Sequence, residues 1–300
     1  MSKCIVTGGC GFIGSHIVDK LIDLGNEVVV IDNRSAESND KFFENPKARY
    51  FPFSITEYNH ILHLFKGVDY VFHLAAESRI QPTLERPQDA CMVNFIGTCN
   101  VLQAARVHKV KRVLYSSTSS GYGLKNEIPL QEDMERDCLN PYAVTKVAAE
   151  DLVKMYYTLW GLETVTFRYF NIYGDREPTK GAYAPVVGLF LIQLKHKKPL
   201  TVVGDGGQRR DFTNVQDVVQ ANMLAMDSDK KEILGEIFNI GTGTNHSVLE
   251  LAKMISDNYI FVPERLGEAR NTLADITKAK LLLGYKPTIQ ISEWIKQKIT

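Results

Sequence analysis

The stretch TGGCGFIG, at residues 7–14, constrains this chain of 300 residues more than any other feature. It follows a short apolar run, and the residues after it have the spacing of a helix. Its glycines satisfy both G-x-G-x-x-G (Gly9, Gly11, Gly14) and G-x-x-G-x-x-G (Gly8, Gly11, Gly14). Glycine permits a sharp turn and a close backbone approach, and the free N–H groups at a helix start attract a pyrophosphate. The stretch therefore predicts a strand–turn–helix unit that binds a dinucleotide.

The first half of the chain alternates between two periods of apolar residues. Short runs rich in β-branched and aromatic residues indicate strands, and longer runs with apolar residues three or four apart indicate helices. The strand segments are KCIVTG, EVVVID, ARYFPF, DYVFHLAA and KRVLYSS, and the helical segments are FIGSHIVDKLIDLG and DACMVNFIGTCNVLQAARVH. This βαβα order predicts an α/β fold with a doubly wound parallel (Rossmann) sheet, whose ligand lies beyond the carboxyl ends of the strands.

The pattern loosens after about Gly174, where prolines and the stretch VVGDGGQ interrupt it. The stretch EIFNIGTG, at 236–243, has the pattern of one more sheet strand. We therefore predict a Rossmann domain and a smaller, interleaved substrate lobe. The predicted Rossmann domain covers residues 1–173, with 214–243 returning to it, and the predicted lobe covers 174–213 and 244–300.

Charge and hydropathy exclude several classes of partner. The chain has 35 basic and 35 acidic residues, so no electrostatic footprint for nucleic acid or anionic lipid is present. No apolar stretch reaches the roughly 18 to 20 residues that a membrane helix requires. The amino terminus runs directly into a strand pattern. We therefore expect a cytoplasmic protein whose partner is a small molecule.

The sequence gives no indication of a metal or disulfide site. Its five cysteines lack C-x-x-C spacing, which favours reduced thiols over disulfides or a zinc site. They are Cys4, Cys10, Cys91, Cys99 and Cys138. His60 and His63 lie three residues apart and could share a metal, but the interpretation as surface or packing histidines is favoured.

Asp32 indicates which dinucleotide is bound. It stands at the end of the second strand, 18 residues after Gly14. A carboxylate there can accept hydrogen bonds from both adenosine ribose hydroxyls and would repel a 2′-phosphate, so NAD is favoured over NADP. Arg34, two residues later, weakens that preference.

The stretch PYAVTK, at residues 141–146, places Tyr142 and Lys146 on one face of a helix. An ammonium near the phenol, together with an oxidised nicotinamide, would lower the tyrosine pKa from about 10 toward working pH. A general base requires such a pKa. The stretch YSSTSSGYG, at 115–123, brings a cluster of hydroxyl groups to the end of the fifth strand.

With these motifs the chain resembles the extended short-chain dehydrogenase/reductase family, and within it the nucleotide-sugar 4-epimerases of the UDP-glucose and UDP-N-acetylglucosamine type. The resemblance covers nearly the whole chain. It is carried by TGGCGFIGSH, VIDN, FHLAAES, VNFIGTCNVLQAA, SSTSSGYG, PYAVTK, FRYFNIYG, VVGDGGQRRDFTNVQDVVQA, FNIGTG and RLGEARNTLADITKAKLLLGYKP. It implies that Tyr142 is the base, that Lys146 holds the nicotinamide ribose, and that Thr118 bridges Tyr142 to the sugar 4-hydroxyl.

The resemblance also implies the remaining contacts. Those to NAD are Gly8, Gly11, Phe12, Ile13, Gly14, Asp32, Asn33, Ser54, Ile55, Leu74, Ala75, Ala76, Asn94, Ser116, Tyr142, Lys146 and Tyr169. Those to the nucleotide sugar are Arg79, Thr118, Ser119, Tyr142, Asn171, Arg210, Arg265 and Thr272. Asn171, Arg210 and Arg265 correspond to contacts with the diphosphate, and a guanidinium offers paired donors in phosphate geometry.

The implied reaction is an inversion at C4 of a UDP-hexose. Tyr142 takes the 4-hydroxyl proton, the hydride passes from C4 to NAD, and the resulting 4-keto sugar turns before the hydride returns. Related 4,6-dehydratases and decarboxylases carry an acidic residue directly after the equivalent of Thr118. Here Ser119 and Ser120 follow, which favours epimerisation over those reactions.

The sugar is less constrained by the sequence. The small Thr272 leaves space beside the sugar 2-substituent, so UDP-GlcNAc/UDP-GalNAc joins UDP-glucose/UDP-galactose as an expected pair. Arg79 departs from the small or histidine residue that is usual there; it could bind a uronate, which makes UDP-glucuronate the alternative, but an orientation toward solvent is favoured. Two further departures are Ser54, where an acid contacting adenine is common, and Gly121, which is expected to loosen the active-site loop.

A different class of protein uses the same fold to bind a dinucleotide without catalysis. Such proteins typically lack the tyrosine or the lysine, and this chain has both, so an enzyme is favoured. The resemblance also implies a homodimer. Its interface is expected to be a four-helix bundle of the helix after Pro141 and the helix at about 89–108 from each copy.

Overall fold

The computed structural model describes residues 1–36, 41–179, 184–264 and 269–299. Its centre is a seven-stranded sheet in the order β11-β6-β5-β4-β1-β2-β3, with all neighbouring strands parallel. The strands are β1 (Lys3–Thr7), β2 (Glu27–Ile31), β3 (Arg49–Phe51), β4 (Tyr70–His73), β5 (Arg112–Thr118), β6 (Glu163–Tyr169) and β11 (Glu236–Ile240). The predicted doubly wound parallel sheet is confirmed.

Helices cover both faces of the sheet and also occur in the rest of the described chain. They are α1 (Phe12–Asp23), α2 (Tyr58–Ile61), α3 (Ile80–Glu85), α4 (Pro87–Ala90), α5 (Thr98–Val107), α6 (Pro141–Trp160), α7 (Val186–Lys195), α8 (Val215–Asp227), α9 (Val248–Ile255) and α10 (Ile291–Ile299). Short 3-10 helices occur at Leu62–Phe65, Ser119–Tyr122 and Lys231–Ile233, and π-helical segments occur at Cys91–Gly97 and Ala279–Leu283. The helix expected near 89–108 is therefore made of the end of α4, a π-helical segment at Cys91–Gly97, and α5.

Two apolar clusters lie on opposite faces of the central sheet. One joins the sheet to α1 and α8, for example through Ile17 and Val218. The other joins it to α5 and α6, for example through Leu102 and Val153. A strand buried on both faces needs apolar residues at successive positions, which explains runs such as EVVVI in β2.

The second lobe has its own apolar cluster, built from α7, α9 and α10. Three two-stranded sheets accompany it: β7 (Ile172–Tyr173) with β10 (Thr213–Asn214), β8 (Leu200–Val203) with β13 (Tyr259–Val262), and β9 (Arg209–Arg210) with β12 (His246–Ser247). Strand β11 returns to the central sheet beside β6. The domain boundaries at residues 173, 213 and 243 stay a prediction.

The local sequence of α6 fixes where Tyr142 lies. The side chain of Asn140 accepts a hydrogen bond from the Ala143 N–H at 2.9 Å and caps the helix. Pro141 follows as the first helical residue, where its missing N–H costs nothing. Gly161 ends the helix in the left-handed conformation. Tyr142 is thereby held in the first turn of α6, with Lys146 one turn later.

Among the residues that the structure describes, none of the helices combines the length and the apolar character needed to span a bilayer.

Candidate active site

A cavity of about 530 Å³ opens at the carboxyl ends of the central strands. It extends from the glycine turn after β1 to residues of the second lobe. Most of the residues predicted for the site line it. They are Gly8, Gly11, Phe12, Ile13, Gly14, Asp32, Asn33, Ser54, Ile55, Leu74, Ala75, Ala76, Arg79, Ser116, Thr118, Ser119, Tyr142, Lys146, Tyr169, Asn171 and Arg210. The cavity therefore brings the predicted cofactor and substrate residues together.

The glycine turn has the close packing that a dinucleotide requires. A Cβ on Gly14 would overlap the carbonyl oxygen of Gly8, and one on Gly8 would lie 2.8 Å from the Ala75 nitrogen. Gly8 also has a positive φ of 70°. Helix α1 begins directly after Gly11, so its free N–H groups face the cavity. These residues fit the pyrophosphate of a dinucleotide.

Asp32 is held in place by the turn that it faces. Its two carboxylate oxygens accept hydrogen bonds from the Cys10 N–H at 2.9 Å and from the Arg34 N–H at 2.8 Å. The guanidinium of Arg34 forms an ion pair with Glu44. The charge of Arg34 is therefore balanced by Glu44, and the negative charge of Asp32 sets the electrostatics at this end of the cavity.

We expect NAD to bind at least about tenfold more tightly than NADP, because Asp32 repels a 2′-phosphate. Asp32→Asn should weaken NAD binding by roughly 10- to 100-fold, the value of one or two hydrogen bonds to a charged group. Isothermal titration calorimetry measures both. Asp23→Asn, at the exposed end of α1, is the control and should leave NAD affinity unchanged. Equal affinities for NAD and NADP would contradict the assignment of Asp32.

The hydroxyl groups at the carboxyl end of β5 lie beside the first turn of α6. Thr118 Oγ1 accepts the Ser120 N–H and donates to Ser120 Oγ, each at 3.1 Å. Thr118 is also close enough to the Tyr142 phenol to lower its pKa. A hydroxyl in this position can pass a proton between a bound sugar and Tyr142.

The electrostatics of Tyr142 differ from the prediction. Burial raises the pKa of Tyr142, whereas the hydroxyl of Thr118 and the positive charge of Arg79 lower it. Lys146 is not among the groups that lower this pKa. Its ammonium lies 4.3 Å from the centre of the Tyr115 ring, and burial lowers the pKa of Lys146 to about 7. The cation that acts on the phenol in this structure is therefore Arg79.

A buried ion pair supports Lys146 from the next turn of α6. Arg168 donates to both carboxylate oxygens of Glu150, at 2.9 and 2.7 Å, and Ser117 Oγ donates to Glu150 at 2.6 Å. The negative charge of Glu150 raises the pKa of Lys146 against the effect of burial. Glu150 thus favours the charged form of the lysine.

The expectation that Arg79 points to solvent is wrong. Arg79 caps the amino end of α3 and lines the cavity, and its Nε is buried without a hydrogen-bond partner. Glu177, from the second lobe, lines the same cavity. Burial raises the pKa of Glu177 to about 8, against the opposing effects of the Gly188 and Gly174 backbone N–H groups and of Arg79. Neither N–H forms a well-aligned hydrogen bond, and both oxygens of Glu177 lack a partner among the described residues.

Replacement of Glu177 by glutamine is expected to change how stability depends on pH. Because the folded pKa of about 8 exceeds the usual 4.5, the stabilisation from this group is complete below about pH 4.5 and is lost as the pH rises through 8. Glutamine cannot ionise, so the free energy of unfolding of Glu177→Gln, relative to wild type, should rise by a few kcal/mol between about pH 5 and 9. Urea denaturation at several pH values measures it.

The control for that experiment is Glu135→Gln, which removes the same charge from a side chain that is 75% exposed. The difference in free energy of unfolding between Glu135→Gln and wild type should vary much less over the same pH range. A Glu177→Gln difference that does not change with pH would show that Glu177 is ionised throughout.

Two predicted residues lie behind the cavity wall. The buried side chain of Asn94 binds the backbone of Glu77 at 2.8 and 3.1 Å and the hydroxyl of Thr145 at 3.0 Å. Thr272 accepts a hydrogen bond from the amide of Asn171 at 3.2 Å. Their polar groups are satisfied by the protein, so both position wall residues. Arg265, which was also predicted for the substrate site, lies outside the described residues.

Arg210 and Gly121 have roles that the structure specifies further. Arg210 lines the cavity while one guanidinium nitrogen donates to the backbone oxygens of Arg209 and Arg270. Gly121 is buried, and a Cβ there would lie 2.5 Å from Val147 of α6. The expected loosening of the loop is therefore not observed, because glycine lets the turn at Ser119–Tyr122 pack closely against α6.

Sequence reasoning missed Glu177 altogether. It lies in the stretch YGDREP beside Asp175 and Arg176, and nothing in the sequence distinguishes it from these two. Asp175 is exposed, and Arg176 forms an ion pair with Asp19 at 2.7 Å. A charged residue directly before a proline at the start of the second lobe was the available signal.

Comparison with known proteins shows which family has this sequence pattern and fold. A model of the NAD dependent epimerase/dehydratase family matches residues 4–241. A UDP-N-acetyl-alpha-D-glucosaminuronate decarboxylase of Bacillus cytotoxicus is 36% identical, over 99% of this chain and 96% of that protein. A UDP-glucose 4-epimerase of Mycolicibacterium smegmatis is 34% identical, over 99% of this chain and 97% of that protein. The crystal structure of the Thermotoga maritima UDP-glucose 4-epimerase with UDP-glucose has a TM-score of 0.93 and 33% identity, over 99% of this chain and 97% of that one.

Proposed function

This chain belongs to the NAD dependent epimerase/dehydratase family, and we propose that it inverts C4 of the sugar in a UDP-hexose or a related UDP-sugar. The observation that carries the proposal is the placement of Thr118 and Tyr142 on the wall of the cavity that also contains the glycine turn. A hydroxyl and a phenol there can deprotonate a sugar hydroxyl beside a dinucleotide. The UDP moiety is supported by relatives that are named for UDP-sugars.

NAD, when bound, supplies a hydride acceptor and donor at the sugar C4. Tyr142 would take the 4-hydroxyl proton through Thr118 as the sugar loses its C4 hydride. Together the two losses would leave a transient 4-keto sugar, and Tyr142 would return the proton once the sugar has turned. Arg79 stabilises the phenolate by its positive charge. Asn171 and Arg210 hold the diphosphate while the sugar turns, and Lys146 holds the nicotinamide ribose.

Decarboxylation and 4,6-dehydration are the competing reactions in this family. Both require a group that moves a proton at a carbon next to C4. The residues after Thr118 are Ser119 and Ser120, and both line the cavity. Since a hydroxyl at its ordinary pKa is a poor acid and a poor base, epimerisation is the reaction that these residues favour.

The proposal is tested by incubating the purified protein with NAD and with UDP-glucose, UDP-GlcNAc or UDP-glucuronate in separate samples. Proton NMR of the anomeric region should show the C4 epimer of at least one sugar. A new product without inversion at C4, such as a pentose from decarboxylation, would contradict the proposal. So would the absence of any product from all three sugars when NAD is bound.

We also propose that the protein is a homodimer. The π-helical segment and α6, which are expected to form the interface, carry exposed apolar side chains: Met92, Ile96, Val144, Leu159 and Trp160, each at least 41% exposed. A second copy of this chain would cover them. Light scattering should give twice the mass of one chain, and Met92→Arg should give a monomer.

The control for that variant is Phe261→Arg, at an apolar residue of β13 that is 56% exposed. It should leave the dimer intact. A wild-type protein with the mass of one chain would contradict the proposal.

A further inference from the structure

Arg79 is a half-buried cation of the candidate sugar pocket whose Nε is buried without a partner. Its Nε makes no hydrogen bond, and the oxygens of Glu177, the carboxylate that acts on its charge, are likewise without a partner among the described residues. Its charge acts on the phenol of Tyr142 and on Glu177. A guanidinium keeps its proton at any ordinary pH, so this charge can be balanced only by an anion.

Glu177 approaches the same pocket from the second lobe. Its carboxyl group lies against the first turn of α7, where a Cβ on Gly188 would be 3.3 Å from it. Both oxygens are buried and neither has a hydrogen-bond partner among the described residues. The two side chains face the same cavity, but they do not form an ion pair with each other.

The two groups respond differently to burial without a partner. A glutamic acid can lose its charge by taking up a proton, whereas an arginine cannot lose its charge. Since neither buried oxygen of Glu177 accepts a hydrogen bond, burial favours a neutral, protonated Glu177 beside the charged Arg79. That arrangement has an excess positive charge and two kinds of N–H or O–H donor, and both complement a carboxylate.

We propose that Arg79 and Glu177 bind a carboxylate on the sugar, so that the substrate is a UDP-hexuronate. The inference rests on the proposed function, because it assigns the sugar for that same site. The guanidinium of Arg79 donates to one carboxylate oxygen and the O–H of Glu177 donates to the other. In a hexuronate the carboxylate is attached to C5, next to the reacting C4, which agrees with a cation that acts on both Tyr142 and Glu177.

The alternative is a neutral sugar held by an ionised pair. In that case Glu177 would accept hydrogen bonds from sugar hydroxyls, and its charge would repel a uronate. Glu177→Gln separates the two, because the amide still donates to a carboxylate but has no negative charge.

The test is the affinity of the NAD-loaded protein for UDP-glucuronate and for UDP-glucose, measured by calorimetry. Wild type should bind UDP-glucuronate at least about tenfold more tightly, as a charge-assisted hydrogen bond allows. Arg79→Gln should remove this preference, Arg79→Lys should retain part of it, and Glu177→Gln should retain most of it. The control Arg86→Gln changes an arginine that is 54% exposed and should leave the preference intact. Thermal unfolding shows whether each variant is folded.

Two results would overturn the carboxylate site. One is a wild-type protein that binds UDP-glucose or UDP-GlcNAc more tightly than UDP-glucuronate. The other is a Glu177→Gln variant that gains affinity for UDP-glucuronate about tenfold while losing it for UDP-glucose, since that result requires an ionised Glu177. If UDP-glucuronate binds through Arg79 but no UDP-sugar gives a C4 epimer, the site stands and the proposed function fails.

Discussion

Replacement of Tyr142 by phenylalanine is expected to lower kcat for C4 inversion by about a thousandfold, within the range of a lost general base. Tyr142 is half-buried, and its phenol lies beside Thr118 and is acted on by the charge of Arg79, whereas a phenyl ring fills the same space without a proton to exchange. The affinities for NAD and for the nucleotide sugar should change little, because most of their contacts lie elsewhere in the cavity. Single-turnover kinetics and calorimetry separate the two effects.

The matched control is Tyr156→Phe, on the same helix. Tyr156 is 4% exposed and its hydroxyl donates to Gln103 at 3.0 Å, outside the cavity. This variant should lose about 1 kcal/mol of stability and keep its kcat. A Tyr142→Phe protein with unchanged turnover would remove Tyr142 from the mechanism.

Replacement of Gly14 by alanine is expected to abolish tight NAD binding. The new Cβ would overlap the carbonyl oxygen of Gly8 and approach the Cα of Gly9 at 2.9 Å, so the turn that holds the pyrophosphate must move. Overpacking of this kind costs about 1–3 kcal/mol. If the whole cost falls on the bound conformation, NAD affinity drops by roughly 10- to 100-fold. Fluorescence titration with NAD measures it.

Gly25→Ala is the control for that variant, because Gly25 follows α1 in the same strand–turn–helix unit. Its φ of 80° makes alanine strained, but nothing lies within 4 Å of the new Cβ. It should cost about 1 kcal/mol of stability and leave NAD affinity unchanged. If both variants lose NAD affinity equally, the effect is one of stability rather than of the turn.

The sequence predicted those parts of the site that local rules position. The glycine turn and Asp32 each follow a strand directly, and Thr118 is the last residue of one. In a parallel sheet the carboxyl ends of the strands meet at one edge. Tyr142 and Lys146 are one helical turn apart, so their common face follows from the helix alone. These residues line one cavity, as their positions in the sequence indicate.

Residues whose surroundings come from distant segments were not predictable in the same way. Arg79 meets Glu177 only because the second lobe folds over the sheet, and the burial that sets their charges depends on both segments. The pKa of Lys146 likewise depends on how deeply α6 is packed. Asn94 and Thr272 were predicted to contact the ligands, but their hydrogen bonds to Thr145 and Asn171 place them behind the cavity wall.

The most direct test of the mechanism follows the hydrogen atom on C4. A UDP-sugar that is deuterated at C4 is incubated with the protein and NAD in ordinary water, and the product is analysed by NMR and mass spectrometry. We predict that the C4 epimer retains its deuterium, because the same hydride would leave C4 and return to it within the cavity. An epimer that carries solvent hydrogen at C4 would contradict the account, since it would require inversion by proton exchange rather than by hydride transfer.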